Sequence, residues 1–247
     1  MSLLAPPITA VADVDAALRE RGHAVLAPAG VAALIDAADT SELDSLTPLW
    51  DDLPPDTYLR DGGRYRRRRH GCFVVDGDSV EPVPRRAHWQ PVEYNALHGG
   101  IERWFEPLDA RLADAAVWAR LLRAVCARAS ALRKPQKWYV EAHPFRIDTT
   151  DGIGRPTPEG AHRDGVDLVA VMLVARAGVK GGETRVFDAH SPYGLRFTLI
   201  QPWTLMLLDD MRVIHETTPI QPLDAAAGGY RDTLVLTYRA GGFQGPT

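Results

Sequence analysis

Apolar positions recur at two different periods along the chain, and the change falls near Pro135. Val11, Val14 and Leu18 are spaced for one face of a helix, and Gly22 is placed to end it. His23-Ala-Val-Leu26 predicts a short strand and Val31 to Ala38 a second helix, after which Pro48, Pro54 and Pro55 mark irregular chain. Ala110 to Leu132 reads as one long helix, with Leu112, Ala115, Ala116, Ala119, Leu122 and Ala129 on or near a single stripe. Beyond Pro135 the pattern predicts short strands: Lys137 to Ala142, Leu168 to Ala175, Thr184 to Phe187, Phe197 to Ile200, Thr204 to Leu208, Val213 to His215 and Thr233 to Tyr238. Gly181-Gly182, Pro192-Tyr193-Gly194 and Gly228-Gly229 punctuate them. A helical part over about 1–135 followed by a strand-rich core over about 136–240 predicts an α+β fold, a sheet sandwich or barrel covered by helices. No linker divides the 247 residues, so a single domain over 1–247 is expected.

Composition adds boundaries rather than detail. With 45% hydrophobic and 24% charged residues the chain is an ordinary globular one, not disordered or fibrous. A net charge of −4 supplies no global field toward nucleic acid or a membrane surface. Cys72 and Cys126 alone make no disulfide framework. Met1 to Ala10 lacks a basic n-region and is broken by Pro6 and Pro7, so it does not read as a signal peptide. The longest apolar run, Leu168 to Ala175, is too short to span a membrane. A cytoplasmic protein is the expectation.

One local charge cluster departs from this picture. Arg64, Arg66, Arg67, Arg68 and Arg69 are nearly consecutive. Such a run is most simply a solvated face, and it is also what a nucleic-acid patch looks like. Read as a strand, it puts Arg64, Arg66 and Arg68 on one side and Arg67 and Arg69 on the other, so one set could turn into a pocket and bind carboxylates.

The candidate chemistry lies at Glu159-Gly-Ala-His162-Arg-Asp164-Gly-Val-Asp167, just before the apolar run. If His162-x-Asp164 opens a strand, both side chains fall on one face, close enough to share an ion. An imidazole and a carboxylate are two of the three groups of the 2-His-1-carboxylate site that holds non-haem Fe(II) with open positions. A third ligand downstream would be His190 or His215. His190 sits in the turn-forming Asp188-Ala-His-Ser-Pro, whereas His215 follows the strand-like Met211-Arg-Val-Ile and is preferred. Arg231 and Thr233 head the last apolar strand two residues apart, an arrangement suited to a carboxylate; a surface strand start paired with Asp232 is the plainer reading.

Together, His162-Arg-Asp164-Gly-Val-Asp167, Lys180-Gly-Gly-Glu183, Leu208-Asp-Asp-Met-Arg-Val-Ile-His215 and Arg231-Asp-Thr-Leu-Val-Leu-Thr-Tyr-Arg239 resemble the Fe(II)/2-oxoglutarate dioxygenase family that includes bacterial L-isoleucine hydroxylases. Arg64-Tyr-Arg-Arg-Arg, Tyr94-Asn-Ala-Leu-His-Gly-Gly-Ile and His143-Pro-Phe-Arg-Ile147 are similar to that family's upstream blocks, so the resemblance runs from about Tyr58 to Tyr238. It implies a double-stranded β-helix of the cupin type, with Fe(II) on His162, Asp164 and His215 and O2 as co-reactant. It further implies 2-oxoglutarate anchored by Arg231 with Thr233, Arg239 being the alternative anchor. The reaction implied is oxidation of an unactivated C–H bond in a small substrate such as a free amino acid, with hydroxylation, desaturation or ring closure as outcomes.

An amino acid needs a cation for its carboxylate and an acceptor for its ammonium group. Arg146, Arg66, Arg67 and Asp167 are the candidates, with scaffold ion pairs as the competing reading. Glu183 could support the metal site or be merely solvated, and His143 and His98 are expected to be hydrogen-bonded scaffold residues. Two other classes stay open: a non-oxidative metal-dependent cupin acting as isomerase or hydrolase, and a module binding nucleic acid or acidic partners through the arginine run. Oligomeric state is not legible.

Overall fold

The computed structural model describes residues 4–246. Helix α1 (Val14–Arg21) ends as the spacing predicts: Gly22 takes a left-handed φ of 74° and its N–H closes on the carbonyl of Leu18. It leads into β1 (His23–Leu26), then α2 (Pro28–Leu34) and α3 (Ser41–Asp44). Three strands follow that the sequence pattern did not mark, β2 (Arg66–Arg68), β3 (Gly71–Asp76) and β4 (Ser79–Pro82). The first half is therefore not a helical cap. β3 and β4 form a hairpin whose tip is Gly77, at φ 57°, and Asp78.

The long helix expected over Ala110 to Leu132 is two, α4 (Ala110–Ala113) and α5 (Ala116–Leu132), parted by an extended Ala115. The buried face of α5 consists of Val117, Trp118, Leu121, Leu122, Val125, Cys126 and Ala129. In one continuous helix, at 3.6 residues per turn, Leu112 would point more than roughly 90° away from Leu121 and Val125. The break lets both be buried. The remaining strands are β5 (Trp138–Asp148), β6 (Leu168–Ala177), β7 (Val179–Gly181), β8 (Glu183–Asp188), β9 (Gly194–Thr198), β10 (Leu205–Asp209), β11 (Val213–Thr217), β12 (Ile220–Pro222) and β13 (Tyr230–Ala240).

All pairings between these strands are antiparallel. The large sheet runs β1-β10-β6-β13-β5-β3-β4, with β2 also on the edge of β5, and smaller sheets are β11-β8-β9 and β12-β7. The fold is thus mixed and sheet-dominated with few helices. One face of the large sheet (Trp138, Val140, Ala170, Met172, Leu205, Leu207, Leu234, Leu236, Tyr238) packs with α1, α2, α3 and α5 in the main core. The opposite face meets the three-stranded sheet through Val169, Val171, Leu173, Met206 and Leu208 against Val186, Phe197, Leu199 and Val213. Among the described residues no helix is long and apolar enough to cross a membrane.

Trp138 ties the helical layer to this sheet: it is fully buried, and its indole N–H donates to Ser130 Oγ at 2.9 Å. Trp138→Ala is expected to cost about 3–5 kcal/mol, read as a lower midpoint in urea denaturation.

Candidate active site

Alternation along two neighbouring long strands builds one wall of a cavity. On β13 the even positions Leu234, Leu236 and Tyr238 enter the core, which turns Arg231, Thr233, Val235, Thr237 and Arg239 toward the opposite face. On β5 the inward residues are Glu141, His143, Phe145 and Ile147, and Arg66 and Arg68 continue the wall from β2. Together these walls enclose a cavity that is open to solvent at its mouth. Val166, Val171, Met206 and Val235 supply an apolar patch within it.

His162, Asp164 and His215 converge here. Their donor atoms lie within 4.8 Å of one another. Asp164 Oδ1 is 3.8 Å from His162 Nε2, and its Oδ2 is 3.8 Å from His215 Nε2. The route differs from the expected strand opening. His162 makes an isolated antiparallel bridge with His215, each N–H bonding the other's carbonyl (3.0 and 2.9 Å), and β6 begins only at Leu168. Between them the chain turns at Gly165, φ 77°, where a Cβ would fall 2.4 Å from the Tyr94 ring. The loop is held by Asp210, whose carboxylate accepts the backbone N–H groups of Asp164, Gly165 and Val166 at 3.0, 2.7 and 3.0 Å. Burial, then the nearby Asp164 charge, pushes the Asp210 carboxyl up to about 7.

The donor set suits a metal ion. Nδ1–H of His162 donates to the Gly160 carbonyl at 2.9 Å, which leaves the Nε2 lone pair facing Asp164. Burial, then the His162 charge, lowers the His215 imidazole to about 3, so it is neutral and able to ligate. Asp164 Oδ1 accepts from Gln90 Nε2 at 3.1 Å, and Gln90 Oε1 accepts from Arg103 (2.8 Å) and Asn95 (3.1 Å), which fixes the orientation of the amide. Two imidazoles and a carboxylate facing a cavity are the kind of donor set that non-haem Fe(II) takes.

A second cluster, His70, His88, Glu141 and His143, is also compact and fully buried. Its protons point the wrong way for a metal. Arg68 Nη2 donates to His143 Nδ1 at 2.6 Å, and since guanidinium only donates, the His143 proton sits on Nε2, toward Glu141. His70 Nε2 and His88 Nδ1 donate to Glu141 Oε2 at 2.9 and 2.6 Å. Burial opposes ionisation of Glu141, but His88 and His70 outweigh it and hold the carboxyl low. The cluster is a carboxylate ringed by N–H donors.

Arg231 is 2% exposed and lines the cavity, yet its Nε and Nη2 have no hydrogen-bond partner. Burial, then repulsion from Arg176, lowers its pKa to about 10. Asp232 does not pair with it, because that carboxylate accepts from Nε and Nη2 of Arg146 at 2.8 and 2.7 Å. The pairing of β13 with β6 shifts between Asp232 and Thr233, where Val174 is the extra residue on β6, while β13 keeps its register with β5. Arg239, at the other end of β13, lines the cavity half-buried and donates to the Gly242 carbonyl at 2.6 Å.

Residues 47–237 match the family model described as 2OG-Fe dioxygenase. The chain belongs to the 2OG-Fe dioxygenase family. It is a 2-oxoglutarate-dependent oxygenase, with Fe(II) as its metal and 2-oxoglutarate and O2 as its cosubstrates. Over 100% of both chains the oxygenase is 54% identical to a bsmA homolog from Methylobium petroleophilum PM1, with a TM-score of 0.93. IDO from Bacillus thuringiensis shares the fold at 14% identity and a TM-score of 0.72, over 95% of this chain and 100% of that one. The Fe(II)/α-ketoglutarate-dependent dioxygenase TqaL does so at 20% identity and a TM-score of 0.70, over 93% and 86%. No curated protein matches.

The expected substrate contacts fare unevenly. Arg66 lines the oxygenase cavity, its Nε on Asp56 at 2.7 Å, but Arg67 points to the other side of β2, 41% exposed and 3.5 Å from Asp148. Since alternate arginines of the run are buried, it forms no continuous basic face. Arg146 is also on the outer side, where Asp232 and Asp51 pair with it; it occupies an even position on a strand whose odd positions face inward. Asp167 lies past the Gly165 turn, pairs with Arg133 at 3.2 Å and accepts the Ala240 N–H at 2.9 Å, so it is a scaffold residue. Glu183 pairs with Arg185 at 2.9 Å away from the cavity, and His190 is exposed in its turn. Gln90, Arg103 and Glu159 line the cavity and were not singled out; only Glu159, three residues before His162, had a positional signal.

Proposed function

We propose that this oxygenase oxidises an unactivated C–H bond of a free amino acid or close derivative, with Fe(II) held by His162, Asp164 and His215. The observation that carries the reading is the three-ligand cluster opening onto the same cavity as the unpaired Arg231 guanidinium. The L-isoleucine hydroxylases are the branch of the family with which its blocks agree. The two facing sheets are read as a double-stranded β-helix within one domain.

Bound Fe(II), with 2-oxoglutarate and O2, supplies the oxidising power that breaks the C–H bond as the cosubstrate is converted to succinate and CO2. The chain's own residues bind, orient and exclude water. Arg231 takes the distal carboxylate of 2-oxoglutarate as a charge-assisted fork, with the Thr233 hydroxyl on the same strand face assisting. Arg239 stands at the other end of β13, with a backbone carbonyl for a partner. Val166, Val171, Met206 and Val235 line a dry region for the carbon being oxidised. A non-oxidative cupin would not require Arg231.

The first test is anaerobic addition of Fe(II) and 2-oxoglutarate, which is expected to give a weak visible charge-transfer band. Free amino acids are then scored by succinate release and product mass. A gain of one oxygen establishes hydroxylation, and loss of two hydrogens desaturation or cyclisation. No band and no succinate would sink the proposal.

Two further outcomes follow from the groups around the metal. Gln90→Leu frees Asp164 and leaves Arg103 without its partner, so Fe(II) affinity is expected to fall by about 10–100-fold. For His162, burial favours the neutral form, but Asp164 and Glu159 outweigh it and raise its pKa. A proton therefore competes with the metal, and affinity is lost as pH falls through that raised value. The expected slope is about tenfold per pH unit where one proton is displaced. A metal titration flat from pH 8 to pH 5 would contradict this.

A further inference from the structure

On the substrate side of the cavity, Arg103 and Glu159 have no permanently charged partner of opposite sign among the described residues. Arg66 and Arg68 do have one, the buried Asp56 carboxylate at 2.7 and 4.0 Å, although Arg66 Nη2 and Arg68 Nε are also left without a hydrogen-bond partner. Glu141 is satisfied by His70 and His88, as described above. Arg103 has no such partner. It is 2% exposed, its Nη2 is spent on Gln90, and its Nε is buried with nothing to donate to. Glu159 mirrors it: Oε2 is buried without a partner, and Oε1 is 3.6 Å from His162 Nε2, the atom a metal would claim. Both line the cavity.

The two sense each other without touching. Burial, then Arg66, lowers the pKa of Arg103 to about 10, and Glu159 is among the groups that oppose the shift. Among the described residues, however, no ion pair within 4.0 Å joins them. An unpaired buried charge is costly, and direct contact between these two would relieve both. Both line the cavity without meeting, so a molecule in it that carries both complementary charges would satisfy them together.

We infer that Arg103 and Glu159 clamp the two charged ends of a free α-amino acid, Arg103 taking the carboxylate and Glu159 the ammonium group. The inference rests on the dioxygenase reading of the cavity and deepens it. It sets the substrate class: both backbone ends of the amino acid must be free, so a residue within a peptide, an N-acyl amino acid and an amino-acid amide are excluded. The clamp is neutral overall and so admits a zwitterion. With Glu159 beside His162, the ammonium end lies on the His162 side of the cavity, and the side chain is left for the apolar patch of Val166, Val171, Met206 and Val235.

The test uses the anaerobic Fe(II) and 2-oxoglutarate complex. Each common L-amino acid is titrated while the charge-transfer band is followed, then the N-acetyl and carboxamide derivatives of the tightest binder. The wild type is expected to bind the free amino acid at least ~10-fold more tightly than either derivative. Measured at saturating Fe(II), Arg103→Gln and Glu159→Gln should each raise its Kd by ~10–100-fold while moving the Kd for 2-oxoglutarate by less than ~3-fold, the loss of one charge-assisted contact. A merely structural role would move both constants together. Glu159→Gln should also abolish the preference over the N-acetyl derivative. If a variant does not fold, the two derivatives on wild type decide. Equal binding of derivatives and free amino acid, unchanged Kd in both variants, or a normal band that no free amino acid perturbs would each overturn the clamp while leaving the dioxygenase reading standing. No band in wild type would overturn that reading and the clamp with it.

Discussion

Asp164→Ala is expected to abolish the charge-transfer band and to lower succinate formation by at least about a thousandfold, while leaving the protein folded. Asp164 is the sole carboxylate of the three-ligand cluster, and its loss removes one of the three donors. The loop should survive the substitution, because Asp210 grips it through three backbone N–H groups and not through the Asp164 side chain. Stability without metal should even improve slightly. Burial first, and the Asp164 charge second, keep the Asp210 carboxyl near 7, so removing Asp164 lets Asp210 ionise more readily and bind its three N–H donors more strongly. The expected pattern is an unchanged or higher Tm without metal, and no rise in Tm on adding Fe(II). A band of wild-type intensity in this variant, or in His162→Ala, would remove the triad from the mechanism.

What could be read in the chain, and what could not, follows from how far each signal travels. Arg231 and Thr233 were legible because strand alternation is local: once β13 buries Leu234 and Leu236, the odd positions have only one place to go. The same parity decides Arg146, whose neighbours Phe145 and Ile147 face the cavity, but it could not be applied without knowing that β5 continues through Pro144 as far as Asp148. In β2 alternation separated Arg66 and Arg68 from Arg67, and only pairing with β5 tells which set is inside. His162 and Asp164 were recognised by type and spacing although the strand expected to carry them does not begin until Leu168. Gln90 and Arg103 had no such aid, and Glu159 had only its place three residues before His162. They stand on irregular chain, and Arg103 is placed by a bridge to His88 that no periodicity announces. β3 and β4 show no clean apolar–polar alternation, and β2, wholly arginine, has no apolar position to mark it, so it could be read as a strand only conditionally.

Arg231→Ala is expected to raise the KM for 2-oxoglutarate by about 100- to 1000-fold, from losing a buried, charge-assisted fork worth roughly 3–4 kcal/mol. The companion effect on stability should run against the usual direction. A fully buried guanidinium whose Nε and Nη2 are unsatisfied is a cost to the ligand-free protein, since Asp232, the nearest opposite charge in sequence, is committed to Arg146. Truncation removes that cost and adds a small cavity, so the net change should lie within about 1 kcal/mol of zero instead of the several expected for a structural arginine. Arg231→Lys separates charge from geometry: an ammonium keeps the charge and loses the fork, and should recover only part of the affinity. Arg239→Ala is the control. Its guanidinium already has the Gly242 carbonyl, so the KM for 2-oxoglutarate should change by less than about threefold, well under the loss of a full charge-assisted contact. A large rise in KM at Arg239 with none at Arg231 would transfer the anchor to the opposite end of β13. It would also reverse the direction in which 2-oxoglutarate lies across the cavity.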